Sequence, residues 1–162
     1  DPATEADLKL ETVLKADAFI EDAISRLSWE QMEELVAGIL RGMGYRSRVA
    51  PKGADRGHDI FASPDGLGLQ EPRIFVEVKH RKGTMGAPQV RSFLGGRRPG
   101  DRCLYVSSGG FTKEAKYEAD RASVPIHLVD LPRLRELLVE NYENLDAETR
   151  ALVPLRRLYW PA

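Results

Sequence analysis

The sequence predicts an α/β domain: a central mixed β-sheet flanked by helices. Two helical segments open the chain, three strand-like segments follow between residues 45 and 80, and helices then alternate with strands to residue 142. Consecutive strands suit an antiparallel meander, whereas strands separated by helices arrive through crossovers, so the sheet is mixed. At 162 residues the chain can bury one real core.

Residues 5–26 form the first predicted helix, with Leu8, Leu10, Val13, Leu14, Ala18, Phe19, Ala23 and Ile24 at helical spacing. Ser28 starts the second, because S-W-E-Q places Gln31 three residues after a serine cap. That helix runs to about Met43, where Gly44 is a good stop. Strands are predicted over Tyr45–Ala50, His58–Ala62 and Arg73–His80, with SPDGLGLQEP at the hairpin position between the last two. A short helix over Gln89–Leu94, a strand over Arg102–Ser107, a helix over Phe111–Ala122, a strand over Pro125–Val129 and a helix over Leu131–Tyr142 follow. The tail has one short helix and ends in LVPLRRLYWPA.

Composition excludes several classes. Hydrophobic residues are 42% and charged residues 30%, which separates the chain from disordered and membrane-embedded classes. No apolar run approaches the ~20 residues of a membrane span, and the use of one cysteine makes a reducing, cytoplasmic location the expectation. The single Cys103 excludes an internal disulfide or a multi-cysteine zinc site; its place in RCLYVSS reads as a buried structural thiol. Net charge is −1, but it is unevenly spread. Residues 1–35 hold ten acids and three bases; residues 79–102 hold seven Lys or Arg and one acid, Asp101. Such a stripe can meet phosphates. On charge alone, the default is a solvated face that pairs with the acidic segment.

The chemistry is concentrated in VEVKH, residues 76–80. Side chains at i and i+2 share a strand face, so Glu77 and Lys79 project together. Adjacent strands at hairpin separation bring Asp59 towards them. Two carboxylates are hard oxygen ligands suited to Mg²⁺, with Mn²⁺ as a substitute. Such a metal polarises a phosphodiester and activates water, and a lysine beside it positions that water or stabilises phosphate charge. On a helical wheel centred on Val36, Glu33 falls roughly 60° from the apolar arc's centre and Glu34 roughly 160°. Glu33 can therefore lean towards Asp59, and Glu34 cannot. Each residue has a plainer reading. Glu77 and Lys79 can be an edge-strand ion pair, and Asp59 a turn acid. Asp55 reads as a turn former with a supporting role at most. Gln89 either hydrogen-bonds near the metal or starts a helix. His58 and His80 alternate away from the acids, and His127 reads as a packed strand histidine.

The series MEELV, GYRSRV, GADRGHDI, VEVKH, VRSFLGG, YVSSGGFTKEA and IHLVD resembles the Mrr-like catalytic domain of the restriction-endonuclease-like superfamily, named for its PD-(D/E)xK signature. The resemblance covers about residues 28–140. It implies a restriction-endonuclease-like core, with Asp59 as the metal-binding Asp, Glu77 as the second acid, Lys79 as the catalytic lysine, Glu33 as the acid of the first core helix and Gln89 as an accessory polar position. Many members carry Gln where Glu77 stands, and no proline precedes Asp59 here.

The expected function is a Mg²⁺-dependent endodeoxyribonuclease of a restriction-type defence protein, with modified DNA as one target class. Asp59 and Glu77 would hold metal. Arg81, Lys82, Arg97 and Arg98 would contact the phosphates of double-stranded DNA. The alternatives are a non-catalytic DNA-binding or assembly module and a structure-specific nuclease of the junction-resolvase type. The expected organisation is an N-terminal helical extension (1–27), a nuclease domain (28–143) and a tail packing on it (144–162). The chain begins without methionine, so it is expected to be the C-terminal part of a longer protein whose preceding part carries a recognition domain. A homodimer is expected if both DNA strands are cut.

Overall fold

In the computed structural model, which describes residues 1–51, 53 and 57–162, five strands form one mixed sheet. Two helices come first, α1 (Pro2–Ser25) and α2 (Trp29–Gly42). The antiparallel strands β1 (Arg46–Val49), β2 (Ile60–Ser63) and β3 (Arg73–Lys79) follow. Helix α3 (Ala87–Leu94) leads to β4 (Asp101–Ser107), and α4 (Lys113–Asp120) leads to β5 (Ile126–Val129). Both later strands are parallel to β3, so the sheet order is β1-β2-β3-β4-β5. Helix α5 (Leu131–Asn141), a 3-10 turn (Tyr142–Asn144) and α6 (Ala147–Leu152) complete the chain. The meander followed by crossovers matches the sequence expectation. No helix among the described residues is long and apolar enough to cross a membrane.

Strand alternation divides the core in two. Ile60, Ala62, Val76, Val78 and Val106 face α2 and α5, packing with Met32, Leu35, Val36, Leu134 and Leu138. Phe75, Cys103 and Tyr105 face the other way and pack with Met85, Phe93 and Phe111 beside α3 and α4. Cys103 is the buried structural thiol expected, and burial pushes its pKa up. The capping box at Ser28 forms as read: Ser28 Oγ accepts from Gln31 N at 3.1 Å, and Gln31 Oε1 accepts from Ser28 N at 2.9 Å.

Two expectations need correction. The second strand begins at Ile60, two residues later than predicted, for a reason that belongs to the site. His127 is exposed, since it lies on the outermost strand. Helix α1 uses its apolar residues unevenly: Ile24 is buried, Ile20 and Ala23 pack on the core, but Leu8, Leu10, Val13, Leu14 and Phe19 are exposed. Its C-terminal half is held to α5 by Arg135, whose Nη1 lies 2.8 Å from Glu21 and 3.5 Å from Asp17. The tail returns to the domain, with Tyr142 Oη donating to Val153 O at 2.9 Å and accepting from Leu155 N at 2.7 Å.

Helix α6 closes against α2 at Gly38, where a Cβ would fall inside the Thr149 side chain. Thr149 is fixed by Asp146, which accepts from its backbone N at 2.8 Å and its hydroxyl at 2.6 Å. Gly38→Ala should therefore cost about 1–3 kcal/mol despite alanine's better helix propensity. Urea denaturation would check this, and a variant as stable as the wild type would show that α6 moves aside freely.

Candidate active site

Asp59 sits where the β2–β3 ladder ends, and it ends the ladder itself. Its N–H donates to Val76 O and its C=O accepts from Ala50 N, both at 2.7 Å. The next donor on β3, Val78 N, is taken at 2.8 Å by the side-chain Oδ2 of Asp59 rather than by strand backbone. That bond explains the late start of β2. It also fixes the carboxylate and leaves Oδ1 for another partner. The register pairs Ile60 with Val76, and Asp59 N–H reaches the same Val76 carbonyl, so Asp59 leaves the regular alternation at this point. Its carboxylate is close enough to Glu77 for its charge to raise the Glu77 pKa.

Glu77 and Lys79 project together from β3, with Lys79 Nζ 3.1 Å from Glu77 Oε1. The glutamate side chain is 17% exposed and the lysine 39%, so the pair sits at the mouth of the sheet's α3–α4 face. Glu77 is paired with Tyr105 on β4. Burial and then the charge of Asp59 raise the Glu77 pKa, with Lys79 and Arg97 pulling it down. Burial first, and then the Glu77 charge, push the Tyr105 phenol up to about 12.

Glu33 comes from α2, on the opposite side of the sheet, and reaches the site past the start of β2. It is half-buried while Glu34 is exposed, as the wheel anticipated. Burial, then the charges of Asp59, Glu30, Glu34 and Glu77, push its pKa up to about 7. Two adjoining cavities frame the acids. One of about 270 Å³ is lined by Trp29, Glu33, His58 and Asp59. The other, about 290 Å³, is lined by Glu77, Lys79, Arg81, Gln89 and Tyr105.

The remaining sequence candidates fall around this centre. Gln89 Oε1 accepts from Gly86 N at 2.9 Å, which caps α3 and sets its side chain at the cleft rim. Arg81 lines the cleft, with Nη2 3.4 Å from Met85 Sδ, and Lys82 beside it is exposed. Arg98 is exposed next to Arg97. Arg97 is held more firmly: its guanidinium donates to Gly57 O and Phe93 O and lies 4.4 Å over the Phe75 ring. Asp55 lies outside the described residues. His80 turns from the acids as expected. Its Nε2–H donates to Leu27 O at 2.6 Å and its Nδ1 meets Ser108 Oγ at 2.8 Å, tying the end of β3 to the entrance of α2. His58 departs from the alternation argument, because it precedes the strand. Its ring packs edge-on against Phe75 at 5.1 Å, on the face of the acids. Trp29 and Tyr105 were not singled out from sequence. Only helix spacing for Trp29, and strand pairing for Tyr105, carried a signal.

The donor set fits a hard cation. Asp59 and Glu77 are neighbouring carboxylates, one oriented by a backbone N–H, and Glu33 feels the charge of both. Among the described residues no group of three or more His, Cys, Asp or Glu stands at ligating distance. Two protein oxygens suit an ion that keeps several waters, as Mg²⁺ does.

Comparison with known proteins gives a consistent picture. The family model for the Mrr catalytic domain, described as a restriction endonuclease, matches residues 24–138. The chain is 30% identical over 148 residues to the type IV methyl-directed restriction enzyme EcoKMrr of Escherichia coli K12, covering 83% of this chain and 47% of that protein. It is 29% identical over 98 residues to the uncharacterised protein y4cE of Sinorhizobium fredii, covering 58% and 25%. The chain thus spans less than half the length of either relative. Its fold is similar to that of the MspJI restriction endonuclease solved with a 27-mer oligonucleotide, with a TM-score of 0.50 and 21% identity, over 93% of this chain and 35% of that one.

The raised Glu33 pKa predicts a pH signature in metal-free buffer. A carboxylate whose folded pKa lies above its unfolded value stabilises the fold fully below pH 4.5, and that contribution is lost as pH rises to about 7. Glu33→Gln should remove this loss. The variant should gain about 1 kcal/mol over the wild type at pH 8, after discounting for solvent screening. The gain should vanish near pH 4. Chemical denaturation at the two pH values measures it, and equal effects at both would mean Glu33 is not held against its charge.

Proposed function

The chain belongs to the restriction endonuclease family of Mrr-type catalytic domains, nucleases that hydrolyse phosphodiesters, and from that premise we propose that it is a Mg²⁺-dependent endodeoxyribonuclease acting on double-stranded DNA. The supporting observation is the convergence of Asp59, which ends the β2–β3 ladder, with the paired Glu77 and Lys79 of β3. The name of EcoKMrr, a methyl-directed enzyme, supports modified DNA as the target class. A separate recognition domain would choose the target, and two copies of the chain would together make a double-strand cut.

Asp59 and Glu77 would hold the cation, and Mn²⁺ can replace Mg²⁺. The ion supplies Lewis acidity and a water of lowered pKa. Lys79 lies against Glu77, where its ammonium can orient the attacking water or meet the charge developing on phosphate oxygens. Glu33 lines a cavity together with Asp59, where it would hydrogen-bond water near a bound cation. Gln89 stands at the rim with its oxygen engaged in capping, so only its NH₂ can face a substrate. Arg81, Lys82 and Arg98 would contact phosphates. Arg97 adds positive charge from beneath while securing Gly57.

Asp59→Ala and Lys79→Ala should each lower nicking of supercoiled plasmid at least a hundredfold, with the circular dichroism spectrum unchanged. Wild-type cleavage by both variants would remove the assignment. Replacing Arg81 and Lys82 together by alanine should lower the slope of log affinity against log salt by about two, near 0.9 per lost phosphate contact. Fluorescence anisotropy on a duplex across a salt series reads it.

A further inference from the structure

The β2–β3 connection is more elaborately built than a hairpin link requires. Asp65 is its hub. Its Oδ1 accepts from Ser63 Oγ and from the N–H groups of Leu67 and Gly68, each at 3.0 Å. Its Oδ2 accepts from the N–H groups of Leu69 and Gln70, each at 3.2 Å. Gly66 and Gly68 take φ of +73° and +78°, which residues with a Cβ rarely adopt. These bonds define one conformation, and it carries Leu67 and Leu69 outward at 74% and 82% exposure. They are the two most exposed leucines among the described residues.

The loop bends over the face that carries the acids. A Cβ on Gly68 would stand 3.1 Å from the Phe61 ring, and one on Gly66 would stand 3.1 Å from Arg46. Phe61 is paired with Phe75, which shares its face of β3 with Glu77, and the two rings meet at 5.3 Å. Between Asp59 and the loop that face carries two exposed arginines from β1. Arg48 is paired with Phe61 and lies 5.7 Å over its ring, and Arg46 is paired with Ser63. Four residues of strand from Asp59 to Ser63 span about 13 Å. That is about four steps of duplex at ~3.4 Å each.

We propose that Leu67 and Leu69 form an apolar wedge that enters the base stack of duplex DNA about four steps from the cleaved phosphodiester, with Arg48 and Arg46 holding the intervening phosphates. The proposal rests on the reading of the chain as a DNA-cleaving domain. Cations leading to rigidly presented leucines match the chemistry of a duplex, whose anionic backbone encloses apolar base faces. Apolar side chains that unstack a base step are an established means of gripping and bending DNA. The loop's rigidity matters, because a wedge that had to order itself on binding would lose affinity doing so.

The test uses duplexes with 2-aminopurine at successive positions, in EDTA so that no cutting occurs, with binding read by anisotropy on the same samples. Wild type should bind and brighten the probe several-fold at a subset of positions. Leu67→Ser combined with Leu69→Ser should abolish the brightening and weaken binding about tenfold, with the salt slope unchanged. Arg46→Ala combined with Arg48→Ala should lower that slope by about two. Binding with no brightening at any position, or an unchanged signal in the leucine variant, would overturn the wedge and leave the nuclease reading standing. Absence of binding would overturn both. A leucine variant that only turns a sedimenting dimer into monomer would show that the loop joins two copies of the chain, and would overturn the proposal.

Discussion

The site depends on the register of β2 against β3. Pairing Ile60 with Val76 sends Ile60, Ala62, Val76 and Val78 into one core and sets Phe61 against Phe75 on the other face. A slip of one residue would bury Asp59 among the valines and expose Ile60, so apolar burial on both faces enforces the pairing. The geometry of the acids is therefore a consequence of packing. Asp59 adds the last constraint by taking the Val78 N–H, which ends the ladder one residue before it would otherwise run on. Loop structure contributes little to the placement of Asp59, Glu77 and Lys79, all of which stand on strand backbone or its first extension.

Gathering acids in this way works against the fold. Glu33 and Glu77 both have raised pKa values, led by burial and reinforced by Asp59. The chain therefore keeps carboxylates together where water alone does not stabilise their charge. Lys79 and Arg97 offset part of this at Glu77. Nothing comparable acts on Glu33, whose resolved influences all raise its pKa. A region that concentrates negative charge beyond what its own cations balance is prepared for an added positive charge. The stability that opposes this cost lies in the α2–α5 core and the α2–α6 contact, away from the acids.

Periodicity made most of the fold legible. Strand alternation, the Ser28 box and the helical wheel around Val36 each translate directly into backbone geometry, so spacing alone singled out Asp59, Glu77, Lys79 and Glu33 as candidates. What failed was context. His127 has the neighbours of a buried strand residue, but position within a sheet is a tertiary property and β5 is the outer strand. His58 was judged by strand alternation although it precedes the strand. The apolar residues of α1 follow the helical period along its whole length, yet only its C-terminal half meets α5. Arg97 reads as a surface cation in sequence, and only the fold shows its guanidinium over Phe75. The role of Asp65 was similarly hidden, since a glycine-rich hairpin loop carries no sign of which carboxylate organises it.

The sheet's two faces explain how a substrate could reach the acids. One face is occupied by α2 and α5. On the other, α3 and α4 pack against Phe75, Cys103 and Tyr105, covering β3 to β5, while Arg46 and Arg48 on β1 remain exposed. The capped start of α3, with Gln89 bonded to Gly86, forms the edge of that cover, and Glu77 and Lys79 lie just beyond it. On the proposed reading, a duplex would approach over β1 and β2 and meet the candidate acids at the edge of α3. Glu33 can reach the same point only by coming round the start of β2 from the other layer. The hydrogen bond that fixes the Asp59 carboxylate and ends the ladder therefore stands where the acid of α2 comes within reach of the charges of Asp59 and Glu77.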